Sequence, residues 1–504
     1  MAFGGHHVTL LATVAMVGAG ALTSTGHSDA RPAQVAPAVA ISVGRAPSGG
    51  PIPAGFLGLS IEYWALEAYA GKDPGAVNPV LVQLIRNLAP GHATVLRIGG
   101  VTTDKTWWPV AGLTRPLGVN YSLDQRRLAV ISALAEAVGA RLIMGINLEA
   151  DSPTLAAAEG RAMLAGIGRG RVEAFELGNE PELYANPNFG WYVRDGRKVP
   201  GRPPSYDFGA FTDDFSAVSA KLPPAPLAGP ASGGVEWLSH LGDFVAAEPR
   251  LRMVTVHSYP MQACYNTPGS PTYPTIGRLL SPVASRGLAD GVAPYLAIAH
   301  AHHLALRIDE MNTIACGNPP GVSDTFAMAL WVLDALFADA QVGVDGVNIH
   351  TYPGAVYQLF TFKRASSSWQ GVVEPEYYGL LMFSKAAPPG ARLLQTSGGS
   401  GAVRVWATRD DHGSIRVLLI NDDTAQTHLV TVRVAGARGA ATLERLQAPS
   451  ATATQGVTFA GQTFGPSTNT GLLYGQRNMV VLPEAAGAYV VRLPAASATL
   501  VTLR

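Results

Sequence analysis

A (β/α)8 TIM barrel followed by an antiparallel β-sandwich is the fold this sequence predicts, on three observations. From Gly55 onward, eight strand-like segments alternate with helical patterns. After about residue 385 the texture changes to short alternating strands separated by turn residues, with no convincing helix. The length, 504 residues, exceeds one ordinary core and suits a barrel joined to a smaller domain.

The barrel strands are expected, in order, at FLGLSIEYW (56–64), TVLRIGG (94–100), RLIMGINLE (141–149), VEAFELGNE (172–180), PLAGPAS (226–232), MVTVHSYP (253–260), LALRIDEMN (304–312) and GVNIHTYP (346–353). The fifth carries the weakest strand signal, because Gly229 and Pro230 interrupt it. Between them, NPVLVQLIRNLAP, SLDQRRLAVISALAEAVG and SDTFAMALWVLDALFADA repeat apolar residues with helical spacing. Segments such as AVRVWATR, SIRVLLINDD and HLVTVRVAG supply the sandwich, and AVAISVGR (38–45) alternates in the same way and is expected to join it. The domain reading is a leader over 1–30, an N-terminal sandwich strand within 31–50, a barrel over 51–385 and a sandwich over 386–504.

Residues 8–22 form one apolar stretch, followed by a polar, small-residue segment. That reads as a signal peptide cleaved near Ala30, hence a secreted or periplasmic protein. The stretch is preceded by His6 and His7 but by no Lys or Arg, so an uncleaved membrane anchor is the alternative. The formal charge is zero, which argues against nucleic acid and anionic lipid and for a neutral or modestly charged partner. Two cysteines, Cys264 and Cys316, lie a few residues beyond strand ends; in an exported chain they form a disulfide candidate, with two free thiols as the other reading. No metal or organic cofactor is expected, because two thiols without a nearby histidine pair lack ligand spacing.

A barrel carries its chemistry at the C-terminal ends of its strands, and here polar residues crowd those ends. Strand one offers Glu62, Tyr63 and Trp64; strand two, Arg97 and then Asp104; strand three, Asn147; strand four, Asn179 and Glu180. Strand six offers His257 and Tyr259, strand seven Glu310 and Asn312, and strand eight His350 and Tyr352. Two glutamates closing different strands can face one another across a pocket, which is the requirement of a retaining glycosidase. One carboxyl gives a proton to the departing oxygen while the other attacks the anomeric carbon. Arg97 is placed to keep Glu310 ionised and Tyr259 to hold its rotamer, with a rim ion pair as the structural alternative for Arg97. Asp309, next to Glu310, is expected to point to the opposite side of its strand. His257 and His350 share the pattern His-x-Tyr-Pro and are read equally as site or as satisfied rim histidines. Trp107 and Trp108 offer sugar-stacking faces, although adjacent tryptophans usually send one into the core.

With LRIGG and Asp104, FELGNEPELY, HSYP, DEMNTIACGNPPGVSDTFAMALWVLDA and the late GVTFAGQTF in place, the chain resembles glycoside hydrolase family 79, the heparanase and β-glucuronidase family. The resemblance spans nearly everything after the leader. It implies Glu180 as acid/base, Glu310 as nucleophile, Asn179 at the sugar 2-hydroxyl, and a sandwich that includes the N-terminal strand. Glu62, Asp104, His257 and Tyr259 are the further expected sugar contacts. It also implies a clamp for the uronate carboxylate, built here from the Gly317 backbone N–H and the Tyr357 hydroxyl. Ala315 stands where some members have a tyrosine, and loss of a charged hydrogen bond of about 1.5–3 kcal/mol bears on sugar preference rather than on the reaction. The expected activity is β-glucuronide hydrolysis on a uronic-acid glycan. A neutral-sugar β-glycosidase and a non-catalytic carbohydrate-binding protein are the alternatives.

Overall fold

Eight strands buried on both faces can only close into a ring if each finds two partners, and these do. The computed structural model describes residues 38–504 except 318 and 367. The leader expected over 1–30 lies outside the described residues. The barrel strands are Leu57–Glu62, Val95–Gly99, Arg141–Ile146, Val172–Leu177, Leu227–Ser232, Leu251–Ser258, Ala305–Met311 and Gly346–Thr351. All pair in parallel, each with the next and the eighth with the first. Each falls on a segment expected to be a strand, the sixth beginning two residues early.

The fifth strand is buried throughout despite its Gly and Pro. A side chain at Gly229 would come within 2.9 Å of the Phe215 ring, so the glycine that weakens the sequence signal is what lets the helix Phe208–Ser219 pack against the barrel. Local chemistry fixes other elements. Helix Gln125–Val138 starts at Asp124, whose carboxylate accepts from the Arg127 N–H, and stops at Gly139 in the left-handed region.

Helix Ala327–Val342 is apolar on nearly every face because it is buried from Ala327 through Asp339. Trp406, from the sandwich, stacks on its Phe337 at 5.6 Å between ring centroids and donates through Nε1 to Asp334 at 2.8 Å.

After the last barrel helix, Pro375–Ala386, the chain enters a ten-stranded sheet folded over on itself. Its N-terminal strand, Val39–Pro51, lies antiparallel to Arg392–Gly398 and parallel to His428–Val434. Alternation decides which core each residue serves. Val403, Val405 and Ala407 fill the sandwich with Ile41, Val43, Val417 and Val432, whereas Trp406, Leu418, Ile420 and Leu500 face the barrel's core. No helix among the described residues is long and apolar enough to cross a membrane.

Candidate active site

Strand four ends at Leu177 and the chain turns sharply, placing Glu180 in the left-handed region at φ 48° with its N–H bonded to Ala231 O at 2.9 Å. Strand seven delivers Glu310 three strand positions away, in register with His257 of strand six. A carboxylate oxygen of each glutamate and a ring nitrogen of His257 all lie within 4.8 Å of one another. That spacing belongs to a carboxyl pair with no room for a water between substrate and nucleophile.

Glu310 is 6% exposed and held from two sides. Arg97 Nη1 donates to Oε2 at 2.6 Å, and the Tyr259 hydroxyl donates to Oε1 at 2.7 Å. Burial opposes its charge, but His350, His257, Arg97 and the Tyr259 hydrogen bond together hold its carboxyl well below the usual carboxylate range. It is therefore an anion at any working pH, aimed at the pocket.

Arg97, fully buried, is the hub. Besides Glu310 it meets Glu176 Oε2 through Nε at 2.6 Å, Asn179 Oδ1 through Nη2 at 2.9 Å and Ser60 Oγ through Nη1 at 3.2 Å. Asp309 also reaches it, at 2.8 Å from Nε. That corrects the expectation that Asp309 and Glu310 take opposite sides of their strand. The pairing register slips between Ile308 and Met311 on one side and opposite Val256–His257 on the other, and such an irregularity re-aims a side chain that strict alternation would send outward.

Around Glu180 the surroundings are wetter and looser. Its side chain is 22% exposed, and Nδ1 of His257 sits 3.0 Å from Oε1. Burial works against a charged His257, but Glu310, the bond to Glu180 and Asp309 push its pKa up to about 10. Its Nδ1 also lies 3.9 Å from Glu310 Oε1, so His257 stands between the two glutamates. Gly233 makes room for the acid: a Cβ there would lie 2.4 Å from Glu180 Oε1.

Two other residues expected at the sugar are hydrogen-bonded to the scaffold. The oxygens of Glu62 accept from the N–H groups of Val101 and Thr102 and from the Thr102 hydroxyl, tying strand one to the strand-two loop. Asp104 is 3% exposed and accepts from the N–H groups of Leu148, Glu149 and Asn179 and from the Tyr184 hydroxyl. Four donors fix this carboxylate, which in turn shapes the backbone that carries Asn179 and Glu180. Asn179 keeps its amide Nδ2 free of those bonds, since Arg97 takes Oδ1.

Of the proposed clamp, Tyr357 lies in the site, its ring 6.4 Å from Tyr259 and 5.9 Å from Tyr352 between centroids. Gly317 adopts φ 84° with Ala263 close against it, a Cβ there falling 2.6 Å from the Ala263 Cβ. Its loop is sewn to the strand-six loop by Ala315 N–H to Met261 O and Ala263 N–H to Cys316 O, both 2.9 Å. Cys264 and Cys316, expected to form a disulfide, are free thiols here. They are joined by a side-chain hydrogen bond, and burial, then that bond, pushes the Cys316 thiol up to about 11, so it stays protonated. Trp107 is in a small core with Val119 and Leu155 and donates to Ser122 Oγ at 2.9 Å, leaving no stacking face. The insertion after strand four folds into a hairpin, Tyr192–Arg194 and Arg197–Val199, moored where Trp191 Nε1 donates to Asp104 O at 2.8 Å.

Ser60, Glu176, Asp309, Glu182 and Gly233 are the members that sequence reasoning missed. Glu176 is the penultimate residue of its strand and reads as a strand-interior residue; only the parity it shares with other inward residues could have marked it. Glu182 accepts from Gly234 N–H at 2.6 Å, and burial followed by the charge of Glu180 pushes it up to about 7. The trio Glu180, His257 and Glu310 has cation-ligating atoms, yet Arg97 already supplies the compensating charge at 2.6 Å from Glu310.

The Glycosyl hydrolase family 79 C-terminal beta domain matches residues 405–500. A Beta-glucuronidase of Neurospora crassa is 24% identical over 395 residues, 70% of this chain and 67% of that protein. Among solved structures, a 4-O-alpha-L-rhamnosyl-beta-D-glucuronidase from Fusarium oxysporum superposes with a TM-score of 0.70 at 20% identity, covering 92% of this chain and all of that one. A GH51 arabinofuranosidase from Xanthomonas axonopodis pv. citri gives 0.66 at 16% identity, over 93% of this chain and 100% of that one. At such identities the structures speak for the fold alone. With a family 79 C-terminal domain behind a barrel that pairs two glutamates at its rim, the chain is a glycoside hydrolase resembling family 79.

Proposed function

We propose that this protein is a β-glucuronidase that cleaves uronic-acid glycosides with retention of anomeric configuration. The observation that carries the mechanism is the proximity of the Glu180 and Glu310 carboxylates, within 4.8 Å at their nearest ligating atoms, where an inverting pair would stand about 6.5–9.5 Å apart.

Glu310, ionised and fixed by Arg97 and Tyr259, attacks the anomeric carbon as Glu180 gives its proton to the departing oxygen. The glycosyl ester forms and the aglycone leaves. Glu180, now a carboxylate oriented by His257, takes a proton from water, which displaces Glu310 and restores both groups. The free Asn179 amide is the donor for the 2-hydroxyl, and Tyr357, beside Tyr259, is the donor for the uronate. The glucuronidase names of the Neurospora crassa and Fusarium oxysporum relatives support that sugar.

The test is a panel of nitrophenyl β-glycosides. Glucuronide should be preferred over glucoside, xyloside and galactoside, and NMR of the first product should show the β anomer. Preference for a neutral sugar would overturn the uronate reading, and an α product would overturn retention.

Export through the leader belongs to the same proposal. Cell fractionation tests it.

A further inference from the structure

Beneath the nucleophile lie two carboxyl groups that the reaction does not use. Glu176 and Asp309 are both fully buried, and both approach one atom, Arg97 Nε, at 2.6 and 2.8 Å. Arg97 carries a single positive charge, and its Nη1 is already committed to Glu310. Three carboxylates against the two nearest cations, Arg97 and His257, would still leave one anion uncompensated where water does not reach, a cost of several kcal/mol. The hydrogen-bond inventory points the same way. Glu176 Oε1 and both Asp309 oxygens are buried without a hydrogen bond of good geometry, because Arg97 Nε spends its one hydrogen on Glu176 Oε2. Buried polar atoms are rarely left so, and one proton between two carboxyl groups satisfies oxygens on both.

We propose that Glu176 and Asp309 share one proton, carried by Asp309 and donated to Glu176, and that this pair is a positioning device which reserves the charge and the Nη1 donor of Arg97 for the nucleophile. The groups facing it are Arg97 of strand two, His257 of strand six, Glu310 and Arg307 of strand seven, and Tyr63 after strand one. Burial, then the charge of Glu176, pushes Asp309 well above the usual carboxylate range. Glu176, although burial opposes it, is held below that range by Arg97 and by the bond from Asp309. Ionisation of Asp309 at high pH adds its charge to those of Glu176 and Glu310, a third negative charge against Arg97, and loosens the hold of Arg97 on Glu310. The pair therefore contributes to the alkaline limit of activity without touching substrate.

The proposal rests on Glu310 being the nucleophile only for its kinetic consequence; the location of the proton is read separately. Infrared difference spectra of wild type against Asp309→Asn should show a protonated-carboxyl C=O band missing from the variant. The same band should vanish in Glu176→Gln, where Asp309 no longer faces an anion and gives up its proton to pair with Arg97. In turnover, Asp309→Asn, neutral and able to donate to Glu176, should keep kcat/KM within about threefold at neutral pH and extend its alkaline limb. A fall of more than about 100-fold in a variant with an unchanged melting profile would mean Asp309 works as an anion and would overturn the proposal. Absence of the C=O band in wild type would overturn it too, whatever the substrate proves to be.

Discussion

The floor of the site under Glu310 and the rim around Glu180 are built on opposite principles. Glu310 is 6% exposed, gripped by Arg97 and Tyr259, and backed by a second layer of buried carboxyls. Glu180 has a 22% exposed side chain, a left-handed backbone and one imidazole neighbour at 3.0 Å. The difference matches two jobs. A nucleophile must stay ionised and still, which needs fixed charges and excluded water. An acid that becomes a base within one cycle must exchange its proton, which needs access and a partner able to accommodate both states.

Substitutions at the two glutamates sharpen that contrast most. Glu180→Ala should lower kcat by about 10²–10⁴-fold on substrates with poor leaving groups but much less on activated aryl glycosides, and added azide should rescue it as a glycosyl azide. Equal losses on all leaving groups would break the assignment of the rim as the acid side. On the floor, Arg97→Met should destabilise the enzyme by about 3–5 kcal/mol, read as a fall in denaturation midpoint, because it removes the cation that hydrogen-bonds both Glu176 and Glu310 in the buried floor. Tyr259→Phe should be milder. Losing one hydrogen bond to a charged group, about 1.5–3 kcal/mol, predicts a 10- to 100-fold lower kcat with KM little changed.

The smallest effect is a pH dependence that joins the two regions. His257 has its pKa raised from 6.5 to about 10, so the stability it contributes is full below about pH 6.5 and is lost as pH climbs toward 10. The melting-temperature gap between wild type and His257→Gln should therefore be widest in mild acid and close at alkaline pH. Glu310 has the opposite sign: its contribution is present above the ordinary glutamate range and disappears only as pH falls through its depressed value. A gap that widens with rising pH would contradict the charged bridge.

The same contrast explains what could be read from the sequence. All eight barrel strands, the sandwich and the resemblance to family 79 were legible, since apolar runs and the NEP and DEMN motifs are local signals. Asp309 was misread because the register slip at strand seven is a property of pairing, and pairing is not written in one strand. Glu62 and Asp104 sit at strand ends like true contacts; only the donors that fold back onto them, such as Val101 N–H and Tyr184 Oη, reveal that they serve the scaffold. The paired thiols needed the two loops in place before their contact could be seen.

The central claim, that Glu310 is the group which bonds to the sugar, is tested most directly by trapping. A 2-deoxy-2-fluoro-β-D-glucuronosyl fluoride should inactivate the enzyme with time, and mass spectrometry of its peptides should find one glycosyl adduct on the fragment containing Glu310. An adduct on the Glu180 fragment, or inactivation with no covalent adduct, would contradict it.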